Sequence, residues 1–311
     1  MSRFSAVTLD LSRFPAPLAV RGMDFEAILA ARLARLQALF DEAGIPFSVA
    51  MLQTDPAVVQ QRVDAFRETA VFGWINDAVK SVMVAFAADT DLDNLGLTAA
   101  INLPLGWRDS MLRRIIQPAT DTAPAVMEGD DEYRRRILLA PEAYSTGGTA
   151  GSYLFHALWA DGRILNADVW SPAPGEVIIA IQSREGDGTA PDELVEIARA
   201  HLARADIKPL TDVVSVRSVA NIGYAVSLDA YILPGPDPVA VNDAIRAAIQ
   251  KVAAARRTPS RDMPRSALIG AAQLDIVDKV NLVTPADDIA RGYGEVPVLA
   301  GLDVRVHNHG G

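Results

Sequence analysis

Gly186-Asp187-Gly188 stands between an apolar run and an amphipathic one, where a dinucleotide-binding fingerprint would lie. Such a loop cradles a pyrophosphate against a helix N-terminus. Here Pro191 occupies the third glycine position, and Asp192 and Glu193 follow. Two carboxylates in a first helical turn suit the helix dipole and oppose a phosphate, so the segment reads as a turn that opens a helix. Asp89, Asp91 and Asp93 have the spacing of the first three ligands of a calcium loop. That loop also needs a glycine next and a bidentate Glu at its twelfth position. The sequence has Asn94 and Ala100 there, which favours a solvated turn and a helix cap. Of the 4 histidines, His156 lies in an Ala/Leu/Trp run that reads as packed interior, and His201 stands alone. Only His307 and His309 are close, as an H-x-H pair without further ligands. No G-x-S-x-G elbow and no Walker A sequence occur. Cysteine is absent, which excludes disulfides, thiolate metal sites and a cysteine nucleophile. No catalytic residue, cofactor site or metal site is expected.

The chemistry that remains is that of surfaces meeting surfaces. Of 29 basic residues 25 are Arg, the residue favoured at protein interfaces for its planar fork, although coding bias toward Arg and Ala is an equal explanation. Arg134, Arg135 and Arg136 are consecutive, and on a helix they point about 100° apart, so they cannot all serve one contact. Arg256, Arg257, Arg261 and Arg265 cluster in RRTPSRDMPR, suited either to an acidic partner or to a solvated loop. The net charge of −10 and pI near 4.9 argue against direct nucleic-acid binding. The start lacks an apolar core with a cleavage site, so a secretory leader is not expected. No run suits membrane insertion: the longest uncharged stretch, Ala143 to Ala160, is rich in Ser, Thr and Gly.

The elements that must present these residues are readable in part. Asp24 caps an amphipathic helix with Phe25, Ile28, Leu29, Leu33, Leu36, Leu39 and Phe40 on one stripe, ended by Gly44 and Pro46. Asp55-Pro56 opens a second helix. Its stripe of Val59, Val63, Phe66, Ala70, Trp74, Val79, Val82 and Phe86 predicts a run to about Ala88, roughly 50 Å long. A helix of that length either packs against other chains, with Phe66, Trp74 and Phe86 at the contact, or is a broken pair within one bundle. Asp93 is expected to cap a short helix over Leu95–Ala100, and a third strong helix covers Asp131–Leu139. The stretch from Leu103 to Glu128 has no clear period. Gly147, Gly148 and Gly151, in the loose Ser145–Ser152 segment, are the expected hinge.

From about residue 164 strands alternate with helices. Ala167–Ser171 and Glu176–Gln182 read as strands joined by a Pro/Gly turn, and Val213–Val219, Ala225–Leu233 and Lys279–Val283 as further strands. An internal echo suggests two units of similar grammar. Ala157-Leu158, Ile164 and Val169–Pro172 match Ala267-Leu268, Ile276 and Leu282–Pro285. Ile178–Ile181 and Ala230–Leu233 each lead through a Gly-containing turn into a helix. The expected fold is α+β, an N-terminal helical region with a long helix followed by two small α/β modules. The expected organisation is 1–125 helical, 126–152 helix and hinge, 153–220 the first α/β module and 221–311 the second.

The sequence resembles the baseplate J-like family of contractile phage tails and related injection machines. The likeness is carried by DTDLDNL at 89–95, DEYRRRILLAPEAY at 131–144, residues 146–157, SPAPGEVIIAIQS at 171–183, residues 187–202, KPLTDVVSV at 208–216 and YILPGP at 231–236. It covers most of the chain from about residue 50, and GGTAGS departs from the pattern. The resemblance implies a structural wedge protein that joins neighbouring wedges into a ring around the central hub and rearranges to trigger sheath contraction. It implies as partners other copies of the chain, a second wedge protein like the phage baseplate I protein, a small baseplate protein of lysozyme-like fold, and the hub and sheath. It also implies residence in a particle baseplate assembled in the host bacterial cytoplasm. The alternative is a soluble α/β enzyme whose site the sequence does not reveal.

Overall fold

The computed structural model describes residues 15–19, 24–46, 53–145, 147–259 and 261–308. The fold is mixed α+β with helices first. The described residues fall into two compact units, one of residues 15–112 with 130–137, the other of 113–129 with 138–308.

In the first unit, Asp24 caps α1 (Phe25–Glu42) and Asp55 caps α2 (Pro56–Ser81), each carboxylate accepting from the N–H two residues on. Pro56 occupies the first turn, where its missing N–H costs no bond. Helix α2 ends at Ser81, short of the Ala88 expected from its apolar period. No Gly or Pro stops it. The Ser81 hydroxyl turns back to the Ala78 carbonyl, and the Arg134 guanidinium donates to the Val84 and Ala87 carbonyls at 2.7 Å. Those bonds, with burial of Ala87, hold 82–88 in turns off the helix axis. Helix α3 (Asp89–Ile101) starts earlier than expected, because its cap comes from afar: the Asp130 carboxylate accepts from the Asp89 N–H at 3.0 Å. A 3-10 helix (Leu105–Met111) buries Trp107 and Met111. The core joins Ala87 and Leu92 to Tyr133 and Ile137 of α4 (Asp130–Leu139).

In the second unit, the stretch without a clear period contributes β1 (Ile115–Gln117) and β2 (Val126–Met127), a short antiparallel pair. After a 3-10 turn (Ala140–Tyr144), α5 (Ala150–Ala160) is buried from Gly151 through Leu158, as a helix with no charged residue and apolar groups on every face can be. Its first turn absorbs part of the segment expected to be loose, since the Thr149 hydroxyl accepts from the Ser152 N–H. Strands β3 (Ile164–Trp170) and β4 (Glu176–Ser183) pair antiparallel. Helix α6 (Asp192–Leu202) then crosses to β5 (Val213–Ser218), parallel to β4. Central β4 is an almost unbroken Val/Ile/Ala run, covered on both faces.

Strand β6 (Ala220–Ile232) follows at once and centres a second sheet, with α7 (Pro238–Arg256) and α8 (Arg265–Ala272) on its apolar face. Strand β7 (Val277–Thr284) pairs antiparallel to it on one edge, and β8 (Glu295–Asn308) pairs parallel on the other. The sheet orders are β3-β4-β5 and β7-β6-β8. Each therefore has a central strand, one antiparallel edge and one parallel edge. The echoed residues occupy equivalent places: helix, antiparallel edge and Ser/Thr-Pro turn in one case, central strand and following helix in the other. Only the chain order of the two blocks is exchanged.

Candidate protein interface

Arg32 fixes which face of α2 is turned inward. Its guanidinium donates to Gln61 at 3.1 Å, Asp64 at 3.1 Å and Glu68 at 2.9 Å. With Val58, Ala65 and Asn76 buried, this marks the α1-facing side. At 100° per residue, Val59, Val63, Phe66, Ala70 and Trp74 centre about 160° away from it. They lie on the far side from α1, which cannot cover them. Phe66 is 68% and Trp74 70% exposed. Phe86 lies beyond the end of α2, half-buried, and does not extend the stripe.

The three consecutive arginines have three different surroundings. Arg134 is held by the Val84 and Ala87 carbonyls and by Asp131 at 2.7 Å. Arg136 is only 2% exposed. It donates to the Ser110 carbonyl and, at 2.8 Å, to that of Leu112, and lies over the Tyr133 ring. Arg135 is exposed. A guanidinium committed to interior carbonyls cannot also reach a partner, which leaves Arg135 as the surface group of the three.

The arginine-rich connection ties the two sheets together. Arg256 donates to the Asp262 carbonyl at 2.9 Å, and the Arg257 carbonyl accepts from Gln182 at 3.1 Å. Thr258 accepts from Asn166 at 2.6 Å. Arg265 donates to the carbonyls of Ala286 and Leu282. Arg261 is exposed. Among the hinge candidates, Gly148 has φ +72°, and a Cβ there would lie 2.5 Å from the Asp212 carboxylate. Gly151, inside α5, is pressed against Glu142, and a Cβ on Gly147 would be in ordinary contact with Ser145 Oγ at 3.6 Å.

Asp187 caps its own turn, accepting from the Thr189 N–H at 3.0 Å, which holds its carboxyl below the usual range. Asp89 and Asp91 form the first turn of α3. Among the described residues no cluster of three or more His, Asp or Glu side chains could hold a metal ion. Nor is any helix among them long and apolar enough to cross a membrane. His307 lies 3.0 Å from Asp229, and His309 falls outside the described residues.

Sequence reasoning did not single out two buried ion pairs. Arg114 binds Glu128 at 2.8 Å and donates to the Leu158 and Ile164 carbonyls, tying the β1–β2 pair to α5 and β3. Arg291 meets Asp168 at 3.2 Å, and Asp168 also accepts from the Gly294 N–H. Neither pair has a local spacing signal.

Residues 53–102, which hold α2, its exposed stripe and α3, match the baseplate J-like N-terminal domain. Across 287 residues the chain is 34% identical to baseplate protein J of Escherichia phage P2, over 90% of this chain and 92% of that protein. The chain belongs to the baseplate J-like family. Within this baseplate J-like chain, the matched segment contains the largest exposed rings of α2, Phe66 and Trp74.

Proposed function

We propose that this chain is a structural component of a contractile-tail baseplate, joining neighbouring wedges into a ring around the hub and rearranging as the sheath contracts. The observation that carries the reading is the stripe of Phe66 and Trp74, exposed on the face of α2 opposite α1 and inside the family-matched segment. Isolated chains rarely keep such rings in water along a whole helix face, and burying each contributes about 1.5–3 kcal/mol. The partners are further copies of this chain, a second wedge protein like the phage baseplate I protein, a small baseplate protein of lysozyme-like fold, and the hub and sheath. The particle baseplate is its place of residence, after assembly in the host cytoplasm. Of the arginines singled out from sequence, Arg135 and Arg261 are the exposed ones offered for contacts, and the hinge narrows to Gly147, where a Cβ would meet only Ser145 Oγ at 3.6 Å.

The test is a Phe66→Ser/Trp74→Ser double variant supplied in place of the parental chain. It should fold, retain its α/β unit, and yield few or no contractile particles while losing co-purification with other baseplate proteins. Normal particle yield would refute the reading.

A further inference from the structure

An edge strand offers its unpaired N–H and C=O groups to any strand that comes near. In the α/β unit, polar side chains of the covering helices reach those groups. The first sheet fixes the direction. Val213 and Val219 donate their N–H groups to the Gly175 and Ile181 carbonyls at 2.7 and 3.0 Å. The odd-numbered residues of β5 therefore face β4, and Val214, Val216 and Ser218 turn their backbone groups outward. Arg199 of α6 donates to the outward Val216 carbonyl at 3.3 Å.

The second sheet repeats this on both edges. On β8, Asn242 of α7 donates to the Val304 carbonyl at 2.7 Å, and Arg246 to that of Leu302 at 3.1 Å. Arg246 also donates to the Asn242 side-chain oxygen at 2.7 Å, which orients the amide. Four helical residues advance about 6 Å and two strand residues about 6.6 Å, so one helix pair matches alternate carbonyls of the strand. On β7, Gln273 at the end of α8 donates to the Val277 carbonyl, and Arg265 to that of Leu282 at 3.1 Å. Leu282 and Val304 both pair with Leu228 of β6. If Leu282 turns away from β6, Leu228 turns toward β8 and bonds the neighbours of Val304, which leaves Val304 outward as well. The two edges thus share one sense, and the donors arriving from the helices mark it as outward.

We infer that α6, α7 and α8 guard the sheet edges: Arg199, Asn242, Arg246, Arg265 and Gln273 occupy the outward carbonyls that an added strand would need as acceptors. An incoming strand must strip these bonds before it can pair, and those from guanidinium groups are the stronger kind. Copies of the chain brought close together then meet through side chains and do not merge their sheets. The device lies wholly in the α/β unit and is independent of the α2 stripe.

The experiment uses the full chain and a synthetic peptide of residues 300–308, carbonyl-labelled for isotope-edited infrared spectroscopy and dye-labelled for anisotropy. Asn242→Leu/Arg246→Leu keeps good helix formers in α7 while freeing the Leu302 and Val304 carbonyls. That variant should bind the peptide about tenfold more tightly than the parental chain, with the infrared shift of a paired strand. Asp243→Leu/Ala247→Leu places two leucines on exposed positions of the same helix and should leave peptide binding unchanged. If circular dichroism shows the edge variant unfolded, Gln273→Leu with a peptide of residues 277–284 makes the same test at β7. Equal binding by the parental chain and the folded edge variant would overturn the inference. So would an equal gain from the exposed-leucine control, which would mark the effect as general stickiness.

Discussion

Replacing Arg136 with Met takes the donor away from the buried Ser110 carbonyl and the part-buried Leu112 carbonyl. A buried acceptor left without a partner costs about 1–3 kcal/mol, so the helical unit should lose about 3 kcal/mol in chemical denaturation. Arg135→Ala should change stability by no more than about 0.5 kcal/mol. Gly96 is a second such position. A Cβ there would lie 1.8 Å from the Tyr133 hydroxyl, which donates to the Met111 carbonyl at 2.5 Å. Gly96→Ala should cost about 1–3 kcal/mol, and Tyr133→Phe in the same chain should recover part of it. Neither role could be read from sequence. DEYRRR announces a charged helix, but which arginine turns inward depends on carbonyls more than twenty residues away. Gly96 looks like any helical glycine until Tyr133 is set against it.

Between α5 and α6, His156 and His201 face each other with ring centroids 6.1 Å apart, beside Trp159, Arg204 and Asp206. Burial, then His201 and Arg204, push the His156 imidazole down to about 3; burial and Arg204 push His201 down to about 4. Both are neutral when folded, while in the unfolded chain each takes a proton near pH 6.5. Between those values the unfolded state binds more protons, so stability is full above pH 6.5 and falls as pH drops toward 4. Unfolding measured at pH 7 and pH 5 should differ by about 2 kcal/mol per histidine, and His201→Phe should flatten the curve. At this scale the sequence was most informative where signals are local. Asp55-Pro56 marks the start of α2, and period two marks β5. It was least informative where a distant group decides, as when Arg134 ends α2 and Asp130 starts α3.

The two sheets share one strand arrangement, and the echo at 157–172 and 267–285 was its visible trace. The joint between them was invisible, because it rests on single residues far apart in sequence. Asp168 of β3 holds Arg291 and the Gly294 N–H, and Trp170, Ala180, Val219, Val296 and Val298 pack between the sheets. Asp168→Ala removes the nearer carboxylate of buried Arg291, leaving Asp262 at 4.0 Å. That should cost about 2–3 kcal/mol, less than a wholly uncompensated buried charge, and accelerate proteolysis between Ala286 and Gly294, with the helical unit unaffected.

Strand β8 pairs with β6 along its length, Ala220 opposite Glu295 and Ile232 opposite Asn308. During translation this fixes a schedule. The first sheet has all its strands once residue 218 is made, but β6, complete at Ile232, waits with one edge open until about 75 more residues have followed, several seconds at bacterial elongation rates. For that interval a thirteen-residue strand, with Ile222, Val226, Leu228 and Ile232 along it, is a template for any neighbouring chain. Slowing the ribosome over 285–300 with rare codons should therefore lower soluble yield without changing a single residue, and a chaperone that shields nascent strands should restore it.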